Sequence, residues 1–174
     1  MEIFDVYDRN GNVTEKTRIR GTDLPDGEYY LGIHVYICRS DGSFLLQKRA
    51  EDKKFQPGAW EILLEHAIAG ETSAECACRG VQEELGLSFP PEQFVHVTRL
   101  FWHEYHHIVD AYFLKADISL EEITLQKTEL TDVKWISYAA ILDFLDHIDY
   151  RPEEYLSSVR TYIEDTIGSC LHNT

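Results

Sequence analysis

The sequence predicts an α+β fold in which helices cover a mixed β-sheet. Two stretches before residue 50 each place apolar residues around an Asn-Gly or Asp-Gly turn, which is typical of β-hairpins. One segment in the middle of the chain and two near its end carry apolar residues at helical spacing. Within 174 residues, this combination suits one sheet that is covered by helices around a single core.

The two hairpins come first. Residues 4–21 predict two short strands that turn at Asn10-Gly11-Asn12, and residues 31–50 predict a second pair that turns at Asp41-Gly42. A loop that contains Pro57 follows the second hairpin.

A central helix is predicted from Thr72 to Leu85. Thr72 or Ser73 can cap its first turn, Glu75 lies in that turn, and Gly86 ends the helix.

Strands and then helices complete the chain. Residues 93–118 predict two strands, and residues 132–137 predict another. Residues 138–148 and 153–171 have the apolar spacing of helices that pack on a sheet.

The composition excludes several classes of partner. With a net charge of −15, the protein repels nucleic-acid polymers and anionic membranes, so we expect a small-molecule substrate. The chain has no apolar run of 18 residues and its acidic N-terminus lacks a secretory core, so we expect a cytoplasmic protein. The cysteines form no CxxC pair and are expected to be reduced thiols: Cys38, Cys76, Cys78 and Cys170.

Glu83 and Glu84 are the first candidate site residues. On the predicted helix they share a face with Gly80 and Cys76, and adjacent carboxylates repel each other unless a cation lies between them. Hard divalent ions such as Mg²⁺ take oxygen ligands of this kind. A solvated helix face has the same spacing, so the pair alone leaves both interpretations open.

The surrounding residues resemble the Nudix box. Its pattern is Gly, five residues, Glu, seven residues, Arg-Glu, an apolar residue, any residue, Glu-Glu, any residue, Gly and an apolar residue. Seven of these nine positions match here: Glu71, Arg79, Val81, Glu83, Glu84, Gly86 and Leu87. The flanking segments and the N-terminal hairpin look like the bacterial branch related to isopentenyl-diphosphate isomerase.

The resemblance implies a Nudix α/β/α sandwich with the box as a loop–helix–loop. Residues 1–30 would be an N-terminal β-hairpin extension and residues 31–174 the Nudix domain, together forming one structural domain. The implied chemistry is hydrolysis of a nucleoside diphosphate linked to another group, with Mg²⁺ or Mn²⁺ on Glu83 and Glu84. Arg79 and Glu71 would form a structural ion pair. Acidic members of the family also suggest a homodimer.

Two positions depart from the box. Glu65 stands where the family has its first glycine, and Gly80 stands where it has a further metal-binding glutamate. We therefore expect weak metal binding, which Gly80→Glu would tighten. A glycine within a helix also costs roughly 1 kcal/mol relative to alanine, so Gly80→Ala is expected to be stabilising.

The residues before the helix are also unusual. Leu63, Leu64, Glu65 and His66 replace the small residues that relatives carry in a stretch lining the substrate pocket. The predicted substrate-binding residues are Leu63, Leu64, Gly80, Cys76 and Trp102, and the predicted catalytic residues are Glu65, His66, Glu83 and Glu84.

These departures leave other functions open. A poorly solvated Glu65 would be a general base without metal, able to abstract a proton from a small apolar substrate. Cys76, exposed by the missing side chain at Gly80 and assisted by His66, would be a nucleophile toward an ester. Nature or engineering could have produced such a pocket. The alternatives are a solvent-exposed Glu65, a buried Cys76 and a catalytically silent ligand-binding protein.

Three further histidines have no assigned role. Strand alternation would place His103 and Tyr105 on one face and His106 on the other, with His107 following. A surface position and a metal cluster are both compatible with this pattern.

Overall fold

The computed structural model describes residues 2–148 and 151–168. Cys170 and the end of the last predicted helical segment lie outside these residues. In chain order, the elements are β1 (Ile3–Tyr7), β2 (Val13–Ile19), β3 (Tyr30–Cys38), β4 (Phe44–Arg49), β5 (Trp60–Glu61), β6 (Leu63–His66), α1 (Ser73–Leu85), β7 (Phe94–Trp102), β8 (His107–Lys115), β9 (Leu130–Ile136), α2 (Tyr138–Asp146) and α3 (Glu153–Tyr162), followed by a π-helical turn, Ile163–Gly168.

Strand β3 is the centre of a seven-stranded mixed sheet. The order of the sheet is β5-β4-β3-β8-β7, while β6 pairs with β3 and β9 pairs with β4. The β3–β8 pairing is parallel over nine residues, and the other pairings are antiparallel. All nine residues of β3 are buried, because both faces of the sheet are covered.

The helices cover opposite faces of this sheet. Ile33 and Val35 of β3 belong to the core beneath α1, whereas Tyr36 belongs to the core beneath α2 and α3. This division follows from the two-residue period of a strand. The predicted α/β/α sandwich is therefore confirmed. None of the helices in the described residues combines the length and the apolar character that crossing a membrane requires.

The N-terminal hairpin is also confirmed, as a separate two-stranded sheet. β1 and β2 pair antiparallel, and Phe4 and Val6 of β1 are buried while most of β2 is exposed. The ring of Phe4 stacks on that of His66, with their centroids 5.7 Å apart. The hairpin therefore packs on the end of β6. The domain boundary at residue 30 remains a prediction.

The second predicted hairpin opens as soon as its turn ends. β3 and β4 pair only between Cys38 and Phe44. Beyond this point β3 pairs with β6 and β8, and β4 pairs with β5 and β9. Both strands contribute to the cavity of the candidate site, β3 with Gly32 and His34 and β4 with Arg49.

Helix α1 has the predicted ends. The Thr72 hydroxyl accepts a hydrogen bond from the backbone N–H of Glu75, whose carboxylate accepts one in return from the N–H of Thr72. Gly86 ends the helix with a φ of 71°, a left-handed conformation that suits glycine.

The space beside Gly80 differs from the expectation. A Cβ at Gly80 would lie 3.2 Å from the Cβ of Glu65 and 3.2 Å from Cδ2 of Leu63. Both side chains come from β6, which α1 covers. Gly80 therefore admits close packing of helix and strand and leaves no open space.

We expect Gly80→Ala to give no net stabilisation, since the crowding at Glu65 offsets the gain in helix propensity. In the Glu65→Gly background, where Cδ2 of the Leu63 side chain remains close, the same alanine should raise the free energy of unfolding by up to roughly 0.5–1 kcal/mol. Urea unfolding of the four proteins in this double-mutant cycle measures the coupling. Equal effects of the alanine in both backgrounds would show that the contact has no energetic consequence.

Candidate active site

A cavity of about 480 Å³ opens beside β6 and the second half of α1. Carboxylates, arginines and aromatic rings all reach it. The residues lining it that bear on function are Arg20, His34, Arg49, Phe55, Leu64, Glu65, His66, Glu83, Glu84, Trp102, Tyr105, His107, Val109, Glu129 and Arg151.

Arg79 connects the helix to the strand and the preceding loop. Its Nε and Nη2 donate to the two carboxylate oxygens of Glu71 at 2.9 and 3.0 Å, which confirms the predicted structural pair. Nη2 also donates to the carbonyl oxygen of His66 at 2.8 Å. Its Nη1 lies 3.0 Å from Glu83 Oε2 and 3.3 Å from Glu65 Oε2. One guanidinium thus orients three carboxylates from different segments.

Glu83 and Glu84 both line the cavity, but their immediate surroundings differ. The Glu83 side chain is half exposed and contacts Arg79. Glu84 is buried and accepts a hydrogen bond from Nε2 of Gln47 at 2.6 Å. Burial raises the pKa of Glu84 to about 8, and repulsion from Glu65 adds to this shift.

Glu65 lies across Gly80 and reaches the cavity from β6. Its side chain is 17% exposed, and its Oε1 accepts a hydrogen bond from the backbone N–H of His66 at 2.7 Å. Burial raises the pKa of Glu65, against the opposing effects of that hydrogen bond and of Arg79. The location and the direction of the pKa shift agree with the expectation of a poorly solvated carboxylate. Its catalytic role stays a prediction.

His66 forms a pair with His107 within the cavity. Their Nε2 atoms are 2.9 Å apart. His107 Nδ1 donates to the carbonyl oxygen of Tyr105, so in neutral His107 the Nε2 atom is the acceptor and His66 Nε2–H is the donor. Burial lowers the pKa of both rings, that of His66 to about 3. The pair is therefore neutral near pH 7.

Three predicted substrate-binding residues are absent from the described lining of the cavity. Leu63 and Gly80 face each other in the contact between β6 and α1. Cys76 is fully buried, and burial raises the pKa of its thiol. The side chains from β6 fill the space that was expected to expose Cys76, so the geometry does not support its use as a nucleophile. Leu64 and Trp102 do line the cavity.

The predicted alternation of the later histidines is wrong. Residues 103–105 form a 3₁₀ turn, and His106 has a φ of 52°. Nδ1 of His103 lies 2.8 Å from the Tyr29 hydroxyl, while Nδ1 of His106 donates to the Glu28 carbonyl oxygen. This turn brings Tyr105 and His107 to the cavity, which the sequence pattern did not reveal.

His34 is buried at the cavity wall, as a structural core residue would be. Its Nδ1 lies 2.6 Å from the Tyr155 hydroxyl of α3. Burial lowers its pKa, with a further contribution from Arg151. The sequence pattern did not reveal Arg20, Phe55 and several other residues that reach the cavity from separate segments, because they belong to no shared motif.

The donor set of the cavity suits a hard divalent cation. No three His, Cys, Asp or Glu side chains of residues 2–148 and 151–168 already converge as a metal centre. However, Glu65, Glu83 and Glu84 supply carboxylate oxygens to one cavity. Among the described residues, buried Glu61 Oε2 accepts no hydrogen bond, and the charge of Glu61 helps to raise the pKa of Glu84. A cation would relieve this accumulation of negative charge.

The raised pKa of Glu84 predicts how stability depends on pH. Since the folded pKa of about 8 exceeds the ordinary value of 4.5, the folded state retains this proton longer. Protonated Glu84 therefore contributes to the free energy of unfolding. This contribution is full below about pH 4.5 and is lost as pH rises toward 8. Urea unfolding in EDTA should show this decline in the unmodified protein and a smaller one in Glu84→Gln. Glu104→Gln, at an exposed position, is the control and should decline like the unmodified protein. If stability declines equally in the unmodified protein and in Glu84→Gln, Glu84 is not the group that causes the decline.

The chain is similar to known proteins of one family. Residues 28–156 match the NUDIX domain family. An uncharacterized Nudix hydrolase from Listeria monocytogenes is 37% identical over 79% of this chain and 80% of that protein. An isopentenyl-diphosphate Delta-isomerase from Dinoroseobacter shibae is 28% identical over 80% of each chain.

A solved structure supports the same fold. A protein from Deinococcus radiodurans has a TM-score of 0.70 at 16% identity, with coverage of 92% of this chain and 98% of that one. At this identity, the similarity shows the fold alone. Together with the family match over most of the sequence, these findings show that the chain belongs to the Nudix family.

Proposed function

We propose that this protein hydrolyses a small substrate of the nucleoside-diphosphate type with the help of Mg²⁺ or Mn²⁺. The observation that carries the proposal is that Glu83 and Glu84 of the box line the same cavity as several arginines and aromatic rings. A phosphate group, a divalent cation and a planar base each find suitable partners there.

The arginines suit the phosphate part of such a substrate. Arg20, Arg49 and Arg151 line the cavity of a protein whose net charge is strongly negative. The Arg49 Nη1 donates to Glu61 at 2.8 Å and its Nε donates to the carbonyl oxygen of Phe55, which orients the guanidinium. Guanidinium groups form strong, directed hydrogen bonds to phosphate oxygens.

The aromatic residues suit an organic group attached to the phosphates. Trp102 and Tyr105 form a pair with ring centroids 4.5 Å apart, and Phe55 and Tyr105 are each 58% exposed. Leu64 and Val109 add apolar surface to the same cavity. A nucleobase offers the flat face that such rings contact well.

Glu83 and Glu84 would hold the cation, which supplies charge neutralisation on the phosphates and lowers the pKa of bound water. Gly80 withholds the further carboxylate that α1 would otherwise contribute, so we expect weak binding. The raised pKa of Glu84 allows this side chain to keep or accept a proton near neutral pH in the metal-free protein. The neutral His66–His107 pair lies beside the same cavity, and its two N–H groups are already engaged, one within the pair and one at the carbonyl oxygen of Tyr105.

The test is a hydrolysis assay with nucleoside diphosphates linked to sugars, nucleosides or other groups. We expect release of a phosphorylated product that requires Mg²⁺ or Mn²⁺ and stops in EDTA. Glu83→Gln and Glu84→Gln should lower kcat/KM by at least about tenfold, the effect typical of disturbing a metal site. The exposed Glu15→Gln serves as the charge-matched control. Retained ligand binding without turnover on any substrate would instead indicate a silent binding protein.

Glu65 favours a second candidate, metal-free general-base catalysis on a small apolar substrate. Its carboxylate is mostly buried, its pKa is raised by burial, and it shares the cavity with Leu64 and Trp102. A desolvated carboxylate of this kind is a stronger base than one in water.

For this candidate, we expect proton abstraction from an activated aromatic substrate to persist in EDTA. The rate should rise with pH until Glu65 is fully ionised, because only the carboxylate form is a base. Glu65→Gln should abolish it while keeping the side-chain shape. The variant should also be more stable near neutral pH, since burial disfavours the charge. If the rate and the stability are both unchanged in Glu65→Gln, Glu65 takes no part.

The proposed homodimer and the cytoplasmic location remain predictions. Sedimentation at several protein concentrations would test the dimer.

A further inference from the structure

The two departures from the Nudix box meet in space. In the box, glycine comes first and glutamate follows on the helix, whereas here Glu65 comes first and Gly80 follows. Position 65 lies on β6 and position 80 on α1, and the Glu65 Cβ lies 3.2 Å from where a Gly80 Cβ would be. The glycine and the glutamate therefore stand in the opposite order from the box and lie across one contact, in which a Cβ at position 80 would be tight against the Glu65 side chain.

With this order, the carboxylate of Glu65 on β6 lies near that of Glu83 on α1. Oε2 of Glu65, from β6, and Oε2 of Glu83, from α1, both contact Nη1 of Arg79, at 3.3 and 3.0 Å. Oxygens from two different elements thus approach a single positively charged nitrogen. Glu84 lines the same cavity as Glu65 and Glu83.

We propose that Glu65 supplies, from the strand, the carboxylate that α1 lacks at Gly80, so that the metal site is rearranged and retains three carboxylates. This inference rests on the proposed function, because it assumes a divalent cation at Glu83 and Glu84.

Arg79 does not prevent this use of Glu65. Its Nε and Nη2 remain bound to Glu71 and to the carbonyl oxygen of His66, whichever partner Nη1 has. Glu65 and Glu83 can therefore turn their oxygens from Nη1 to a cation while the loop and the helix stay joined. The Glu83 side chain is half exposed, so its movement is little restricted.

The proposal changes the expectation for Gly80→Glu. Alone, this substitution places its Cβ against that of Glu65 and brings a fourth carboxylate into the cluster. We expect it to lower the melting temperature without tightening metal binding. Combined with Glu65→Gly, it recreates the order of the family box, and the steric conflict with Glu65 disappears.

The test is a Mn²⁺ titration, by calorimetry and by the electron paramagnetic resonance of free Mn²⁺, with no substrate present. The proteins are the unmodified chain, Glu65→Gln, Glu65→Gly, Gly80→Glu, the Glu65→Gly/Gly80→Glu double variant, and Glu15→Gln as an exposed control that removes one negative charge. Circular dichroism and thermal unfolding confirm that each protein is folded. Glu65→Gln keeps the volume of the side chain, so the test remains valid even if Glu65→Gly does not fold.

We expect Glu65→Gln and Glu65→Gly to raise the Kd for Mn²⁺ by at least about tenfold, with little change in the control. The double variant should regain most of the lost affinity. The proposal is overturned if Glu65→Gln binds Mn²⁺ as tightly as the unmodified protein. It is also overturned if the unmodified protein does not bind Mn²⁺, whether or not the double variant does. Failure of the proposed function is distinct, since it would appear as Mn²⁺ binding that depends on Glu65 without hydrolysis of any diphosphate.

Discussion

The contact between α1 and β6, held by the bidentate ion pair of Arg79 and Glu71, determines the position of the acidic side chains around the cavity. The pair joins the helix to the loop before it, and the third nitrogen of Arg79 faces Glu65 and Glu83. Close approach of strand and helix requires a residue without a side chain at one point, and Gly80 meets this requirement. The geometry of the candidate site therefore depends on packing as much as on charge.

The same contact explains why the cavity is electrostatically unusual. Glu65 from the strand and Glu84 from the helix are brought together in a partly dry space, where burial and repulsion from neighbouring carboxylates both favour their protonated forms. The protein thereby holds a group, Glu84, whose pKa of about 8 lies far above its ordinary value. Arg49 and Arg79 offset part of the charge, yet each is already engaged by a carboxylate. A divalent cation would add positive charge where these arginines leave an excess of negative charge.

Local sequence patterns were sufficient to predict the parts of the fold that depend on neighbouring residues. The capping residues of α1, Thr72 and Gly86, follow from the local pattern and are observed, and the Arg79–Glu71 pair that the resemblance to the Nudix box implies is observed as well. The divergence of β3 and β4 was not, because it depends on strands that are distant in sequence. For the same reason, the sequence suggested open space at Gly80, since it does not show that β6 lies against this part of α1. The 3₁₀ turn that directs His107 to the cavity has no clear local signal.

This distinction bears on how a degenerate motif is interpreted. A motif states which residue types occur at fixed positions along one chain, whereas a metal or a substrate meets only atoms in space. Compared with the box pattern along the sequence, Glu65 and Gly80 are two separate departures, the loss of a glycine and the loss of a glutamate. In the folded protein they are neighbours across a single contact, so one change compensates the steric demand of the other. A helix that lacks a carboxylate therefore need not border a site that lacks one, because the facing strand can provide it.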